Sequence, residues 1–236
     1  MASQPIIKLL TAAGLGSRRK MTEVIKRGGV SVNGRVIESF TEPVDPQKDV
    51  ISVDGRRIST QAVPNLYLLM NKPRGIVVTT SDDRGEKTVL DILPEKYRNI
   101  RLYPVGRLDK DSTGLVLLTN DGDLTYRLTH PRFEKEKEYL VRFEGKLTVD
   151  DQAKLEKGID LDDGRTAPAV IGNAPPPYNY SVIIHEGRKH QVRRMFAALG
   201  YTVLALKRVR LGKLKLGTLA EGSVRPLTPE EVKGLK

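Results

Sequence analysis

Apolar positions near the start of the chain fall at Ile6, Leu9, Leu10 and Ala13, the spacing of one helical face. Gly14 closes that stretch. Ser17 is a suitable N-cap for a second helix with Met21, Val24, Ile25 and Gly28 as its inner stripe, ended by Gly28-Gly29. The period then drops to two. Val30 to Ile37 alternates around Asn33-Gly34, which predicts a hairpin, and Asp49 to Val53 predicts a further strand closed by Asp54-Gly55. Arg57 to Asn65 is polar, holds Pro64 and shows no period, so it reads as a linker.

Beyond the linker the pattern changes again. Leu66 to Met70 is wholly apolar, as in a strand buried on both faces. Asn71 to Gly75 reads as a turn and Ile76 to Thr80 as another strand. Leu115 to Leu118 is a second continuous apolar run, preceded by a tight loop that Gly106 and Gly114 bracket and that carries Arg107, Asp109 and Asp111. Tyr139, Val141 and Phe143 share one face of a strand. Val192, Met195, Phe196 and Leu199 form a helical stripe flanked by Arg193, with Arg194 expected toward solvent. Thr228-Pro229-Glu230-Glu231 is a capped helix start. No repeat occurs at solenoid periods. The expectation is an α+β protein: a small domain over 1–58, a linker over 59–65, and a larger domain over 66–236 with a mixed, largely antiparallel sheet.

Composition narrows the chemistry. The 236 residues contain no Cys, which excludes disulfides, thiolate metal sites and a cysteine nucleophile. The start of the chain has no leader pattern and no stretch reaches the roughly 18 apolar residues of a membrane span, so a cytoplasmic protein is expected. The formal charge is +11 and unevenly spread: +4 over residues 1–60, −1 over 61–184 and +8 over 185–215. Two basic segments around a balanced middle point to a polyanion, with nucleic acid the leading candidate. The low aromatic content, 5% with no Trp, argues against a binder built on stacking platforms alone.

The loop around Asp109 admits three readings. Asp109, Asp111, Asp121 and Asp123 suggest a metal site, but the spacing and closing Glu of a calcium loop are missing. Asp109-Lys-Asp111-Ser-Thr113 satisfies the Asp-Xaa-Asp-Xaa-Thr of haloacid-dehalogenase phosphatases. Those need a strand directly before the first Asp, and here the apolar strand follows it. The third reading comes from resemblance. GRLDKDSTGLVLLTNDGDL (106–124) resembles the catalytic motif of pseudouridine synthases of the RsuA type, which comprises RsuA, RluB, RluE and RluF. MNKPRG (70–75), KEYLVRFEG (137–145) and EGRKHQVRRM (186–195) resemble the family's other motifs. AGLGSRRK (13–20), GGVSVNG (28–34) and DVISVDG (49–55) resemble an S4 RNA-binding domain, although Ile6-Ile7 stands where an Arg is usual.

The resemblance implies that the chain converts uridine to pseudouridine in ribosomal RNA with no cofactor and no metal. Both subunits' RNA remain open, with the large subunit (RluB-like) favoured. It implies a monomer acting on structured RNA, free or in a pre-ribosomal particle. A ribosome-assembly factor that binds RNA without turnover is the alternative. By resemblance Asp109 is the essential carboxylate, attacking the sugar or removing its C2′ proton. Arg193 is its cationic partner, and Tyr139 stacks on the target uracil. Arg107 is the residue that fills the space of the extruded base. Lys72, Lys137 and Arg188 are RNA or structural contacts, and Arg18, Arg19, Lys20 and Arg35 touch RNA phosphates. The basic run Lys207, Arg208, Arg210, Lys213 and Lys215 is expected to bind phosphates, and His190 to be structural or RNA-contacting rather than a base.

Overall fold

A computed structural model describes residues 3–59, 63–80 and 85–235. Residues 60–62 of the expected linker lie outside these. The chain divides into two compact units, Met1–Asn65 and Leu66–Lys236.

In the first unit, α1 (Ile6–Ala12) buries Ile6, Ile7, Leu9 and Leu10. α2 (Arg18–Lys26) starts at Ser17, whose side chain accepts from the Lys20 backbone N–H at 3.1 Å. Met21, Val24 and Ile25 face inward, which leaves Arg18, Arg19 and Lys20 exposed. Val30–Val32 and Arg35–Val36 form the hairpin, with Asn33 and Gly34 both left-handed at its turn (φ 52° and 82°). Ile51–Val53 pairs on the other side of Val30–Val32 and with Arg56–Arg57. One apolar core joins the helices to this sheet.

The second unit is built on a nine-stranded sheet. Its main strands are β1 (Tyr67–Lys72), β2 (Thr113–Thr119), β3 (Lys137–Arg142), β4 (Val170–Asn173), β5 (Tyr180–Ile184), β6 (Ala205–Leu211) and β7 (Val224–Pro226). They lie in the order β4-β5-β3-β6-β2-β1-β7. Only β2 and β6 run parallel, with Gly114 opposite Arg208; the other pairs are antiparallel. β1 and β2 are central and covered on both faces. Leu68, Met70, Val116 and Leu118 enter one core, and Tyr67, Leu69, Leu115 and Leu117 the other. That two-sided burial is why their sequences run apolar without alternation.

Two helices, packed on opposite faces of the sheet, both reach the cleft that holds the Asp109 loop. α3 (Gly122–Thr129) is capped by Asp121, whose Oδ1 accepts from the Leu124 N–H at 2.9 Å and whose Oδ2 accepts from the Tyr67 hydroxyl at 2.8 Å. α4 (Gln191–Ala197) buries Val192, Met195 and Phe196. At the C-terminus, Thr228 and Glu231 cap each other reciprocally, hydroxyl to N–H and carboxylate to N–H.

Ile76–Thr80 is not the strand its apolar run suggests. It makes a single bridge, Val77 to Thr88, and bends away while Val78 enters the core. Its backbone is used by a local loop instead: Val77 donates to Lys87 O and Val89 donates to Val77 O, each at 2.9 Å.

Candidate active site

The Asp109 loop leaves the sheet plane at Gly106 and rejoins it at Gly114 (φ 76° and 103°). Gly114 allows no side chain. A Cβ there would collide with the Arg208 carbonyl oxygen of the parallel neighbour β6. The loop is held closed on itself by the Ser112 N–H donating to Asp109 O at 3.0 Å, and from outside by the Gly75 N–H donating to Lys110 O at 2.9 Å.

Two buried cations hold the loop's main chain. Lys72, at the end of β1, is fully buried. Its Nζ donates to the carbonyls of Ser112 (2.7 Å), Pro73 (3.0 Å) and Lys110 (3.1 Å), so all three of its donors are used. Burial lowers its pKa to about 8, against the opposing pull of Asp109 and Asp111. Arg208 of β6, 2% exposed, donates from Nε to Leu115 O at 2.8 Å and from Nη1 to Arg107 O at 3.4 Å. The carbonyls flanking Asp109 therefore turn toward buried positive charge.

Asp109 itself is half-buried. Its Oδ2 lies 3.4 Å from His190 Nδ1. His190 reaches it because it takes a left-handed conformation (φ 52°) at the start of α4, with no capping bond from its own side chain. Opposite, β3 presents Tyr139, 8% exposed, beside Arg208 in register. Asp109, Tyr139, Arg107, Lys137, Arg188 and His190 all line one cleft of about 980 Å³. Lys137 Nζ donates to Lys135 O and Glu186 O. Burial, and next the nearby Arg208 charge, lower its pKa to about 8. Arg107 is exposed at the rim.

Several expected roles change. Arg193 is outside this cleft and is not paired with Asp109: its Nη1 donates to Val203 O at 2.7 Å, because the chain folds back past its flank of α4. Of the RNA or structural roles open to Lys72, its position fits the structural one, since it is sealed under the loop and touches no solvent. Arg188 spends its guanidinium on Glu186, Asp163 and the carbonyls of Gly164 and Arg165. Arg194 is not solvent-directed but forks onto Asp162 and Asp163. In the basic run, Arg208 is buried and Arg210 holds Glu136 and Glu138. Of the nine basic side chains in residues 185–215, Arg188, Arg194 and Arg210 are thus answered by acids distant in sequence, Glu136, Glu138, Asp162 and Asp163. In the first unit Arg35 pairs with Glu42, while Arg18, Arg19 and Lys20 stay exposed.

Sequence reasoning missed His190 and Arg208 as members of the site. A left-handed non-glycine residue leaves no readable pattern. Arg208 did leave one, since it shares the inward parity of Leu206 on a strand. The four Asp side chains of the metal reading do not gather: Asp121 is a helix cap, and no group of metal-binding residues occurs among the described residues. Among those residues no helix is long and apolar enough to cross a membrane.

Comparison with known proteins gives a consistent result. Residues 66–198 match the model of RNA pseudouridylate synthase, and residues 4–50 that of the S4 domain. A Bacillus subtilis (strain 168) protein, ribosomal large subunit pseudouridine synthase B, is 42% identical over 97% of this chain and 94% of its own length. An uncharacterized RNA pseudouridine synthase of Aquifex aeolicus (strain VF5) is 37% identical over 96% of this chain and 91% of its own. A crystal structure of a pseudouridylate synthase superposes with a TM-score of 0.70 at 34% identity, covering 99% of this chain and 100% of that one.

Proposed function

The chain belongs to the RNA pseudouridylate synthase family, and from that premise we propose that it isomerises uridine in large-subunit ribosomal RNA with Asp109 as the reactive carboxylate. The observation that carries this reading is the meeting in one cleft of Tyr139, on β3, with Asp109, on a loop whose main chain is held by buried cations. The large subunit is favoured by the Bacillus subtilis relative's name and by its coverage of nearly the whole chain.

The reaction breaks the C1′–N1 bond, turns the uracil and joins C1′ to C5. A uridine in folded RNA must leave its stack to reach Asp109; in our reading Arg107, exposed where it lines the cleft, fills the gap. Attack by Asp109 on the sugar and removal of the C2′ proton both require an ionised carboxylate in a site that excludes water. Burial alone favours the neutral acid. In our reading Lys72 beneath the loop supplies the opposing positive field, in place of Arg193, and the His190 ring stands beside the carboxylate. The flat face of Tyr139 receives the uracil. The S4 unit, through Arg18, Arg19 and Lys20, adds phosphate contacts that position the RNA without reading sequence. We take the working protein to be a cytoplasmic monomer acting on free or pre-ribosomal RNA.

The test is tritium release from uridine labelled at C5, in separate small- and large-subunit ribosomal RNA transcripts and in partly assembled large subunits. Release from large-subunit RNA that Asp109→Asn abolishes, with RNA binding retained, is the expected result. Release from the small-subunit transcript alone reassigns the substrate. Binding with no release from any substrate favours an assembly factor without turnover.

A further inference from the structure

Tyr126, His130, Arg132 and Phe133 form one aromatic and cationic cluster where α3 runs into the short helix Pro131–Phe133. The rings of Tyr126 and His130 are 4.8 Å apart, and Phe133 meets Tyr126 edge-on at 5.8 Å. The Arg132 guanidinium carbon lies 5.0 Å from the Tyr126 ring centre and 4.5 Å from that of Phe133. Tyr126 is 45% exposed, and His130 and Arg132 are exposed as well.

Three features set this cluster apart from ordinary surface. First, its guanidinium is uncommitted: Arg188, Arg194 and Arg210 each hold carboxylates, whereas Arg132 has no carboxylate partner among the described residues. Second, it is ordered. The Arg132 N–H donates to His130 Nδ1 at 3.3 Å, which fixes the imidazole, and left-handed Glu134 ends the short helix. Third, it is continuous with the cleft, since His130 and Pro131 line the same walls as Asp109 and Tyr139. A chain with only eight Tyr, four Phe and no Trp places two of these rings here, half in water.

A planar, unpaired guanidinium among exposed rings is the chemistry that holds an unpaired nucleobase: every base has a π-face, and stacking needs no particular sequence. We propose that Tyr126, His130, Arg132 and Phe133 form a stacking subsite for an unpaired RNA base flanking the target uridine. This rests on the reading that the substrate is RNA, and it adds where a neighbouring nucleotide is held. The surface keeps the RNA strand at the cleft mouth once the uridine has been turned inward, so it acts on binding more than on the chemical step.

The experiment uses the full chain and a short single-stranded oligouridylate carrying one 2-aminopurine, whose fluorescence is quenched on stacking. Tyr126→Ala and Arg132→Ala are expected to weaken binding about tenfold and to remove the quench. Thermal unfolding stays unchanged, as suits exposed positions. Tyr126→Phe keeps the ring and retains both. Arg132→Lys is the discriminating variant. It keeps the charge but loses the plane, so it behaves like Arg132→Ala if the group stacks. Rescue by Lys, or an unaltered quench and affinity in both alanine variants, overturns the subsite. Tritium release by the wild type on ribosomal RNA is read in parallel. Its absence with the quench intact counts against the catalytic reading alone. Its presence without any variant effect on binding or quench counts against the stacking surface alone.

Discussion

The ammonium nitrogen of Lys72 lies 2.7 Å from the carbonyl oxygen of Ser112, sealed from water beneath the loop that carries Asp109. A lysine is rarely buried, because its charge must be fully compensated. Here three carbonyls accept its three N–H bonds, and in turn Lys72 shares with Arg208 the task of holding the loop's path. Lys72→Met keeps the volume and removes the donors. It should lower the unfolding free energy by about 3 kcal/mol, as buried carbonyls lose their partners. Urea titration measures this, and tritium release should fall further than the folded fraction does. Wild-type stability together with wild-type turnover would show that the loop does not depend on this lysine.

Gly114→Ala should be worse tolerated than its size suggests. The residue has φ 103° and faces the Arg208 main chain with no room for a methyl. A cost of about 3 kcal/mol or more is expected, since the β2–β6 pairing has to open. An alanine variant with an unchanged urea midpoint would refute the close approach.

Tyr139→Phe separates the ring from its hydroxyl. If the ring's work is to receive the uracil, turnover survives at a reduced level while Asp109→Asn gives none. Single-turnover rates on saturating RNA make the comparison. A Phe variant as dead as the Asn variant would assign the hydroxyl a proton-transfer role.

Lys137 predicts a pH dependence of stability. Its folded pKa is about 8 against an ordinary 10.5, because burial disfavours the charge. Between those values the unfolded chain holds a proton that the folded chain has released, so stability rises with pH across the interval. Below about pH 8 the charged form costs stability. Lys137→Met should therefore show a smaller rise than the wild type when urea unfolding is compared at pH 7.5 and about 9.5. Equal slopes would mean that Lys137 titrates normally.

Much of this was written in local pattern. The Met21–Val24–Ile25 stripe, the Asn33-Gly34 turn, the two apolar runs at Leu66 and Leu115 and the Gly-bracketed Asp109 loop each depend on neighbours within a few residues. Helical and extended periods report these directly. Ile76–Thr80 misled because β-propensity in a short apolar run does not say whether a neighbouring strand has a free edge.

Partnership was decided by the tertiary structure. The sequence determined that the chain is α+β, basic and free of Cys, and it marked Asp109 as the candidate carboxylate. It carried no information on which of forty Lys and Arg side chains would be charges in water and which would be internal fastenings. Folding brought Asp162 and Asp163 to Arg194, Glu136 and Glu138 to Arg210, and three carbonyls to Lys72. It turned Arg193 to Val203 and set His190 beside Asp109. The physical reason is that an ion pair or a buried hydrogen bond depends on distance in space. Sheet register, unlike helical or extended period, joins residues a hundred positions apart.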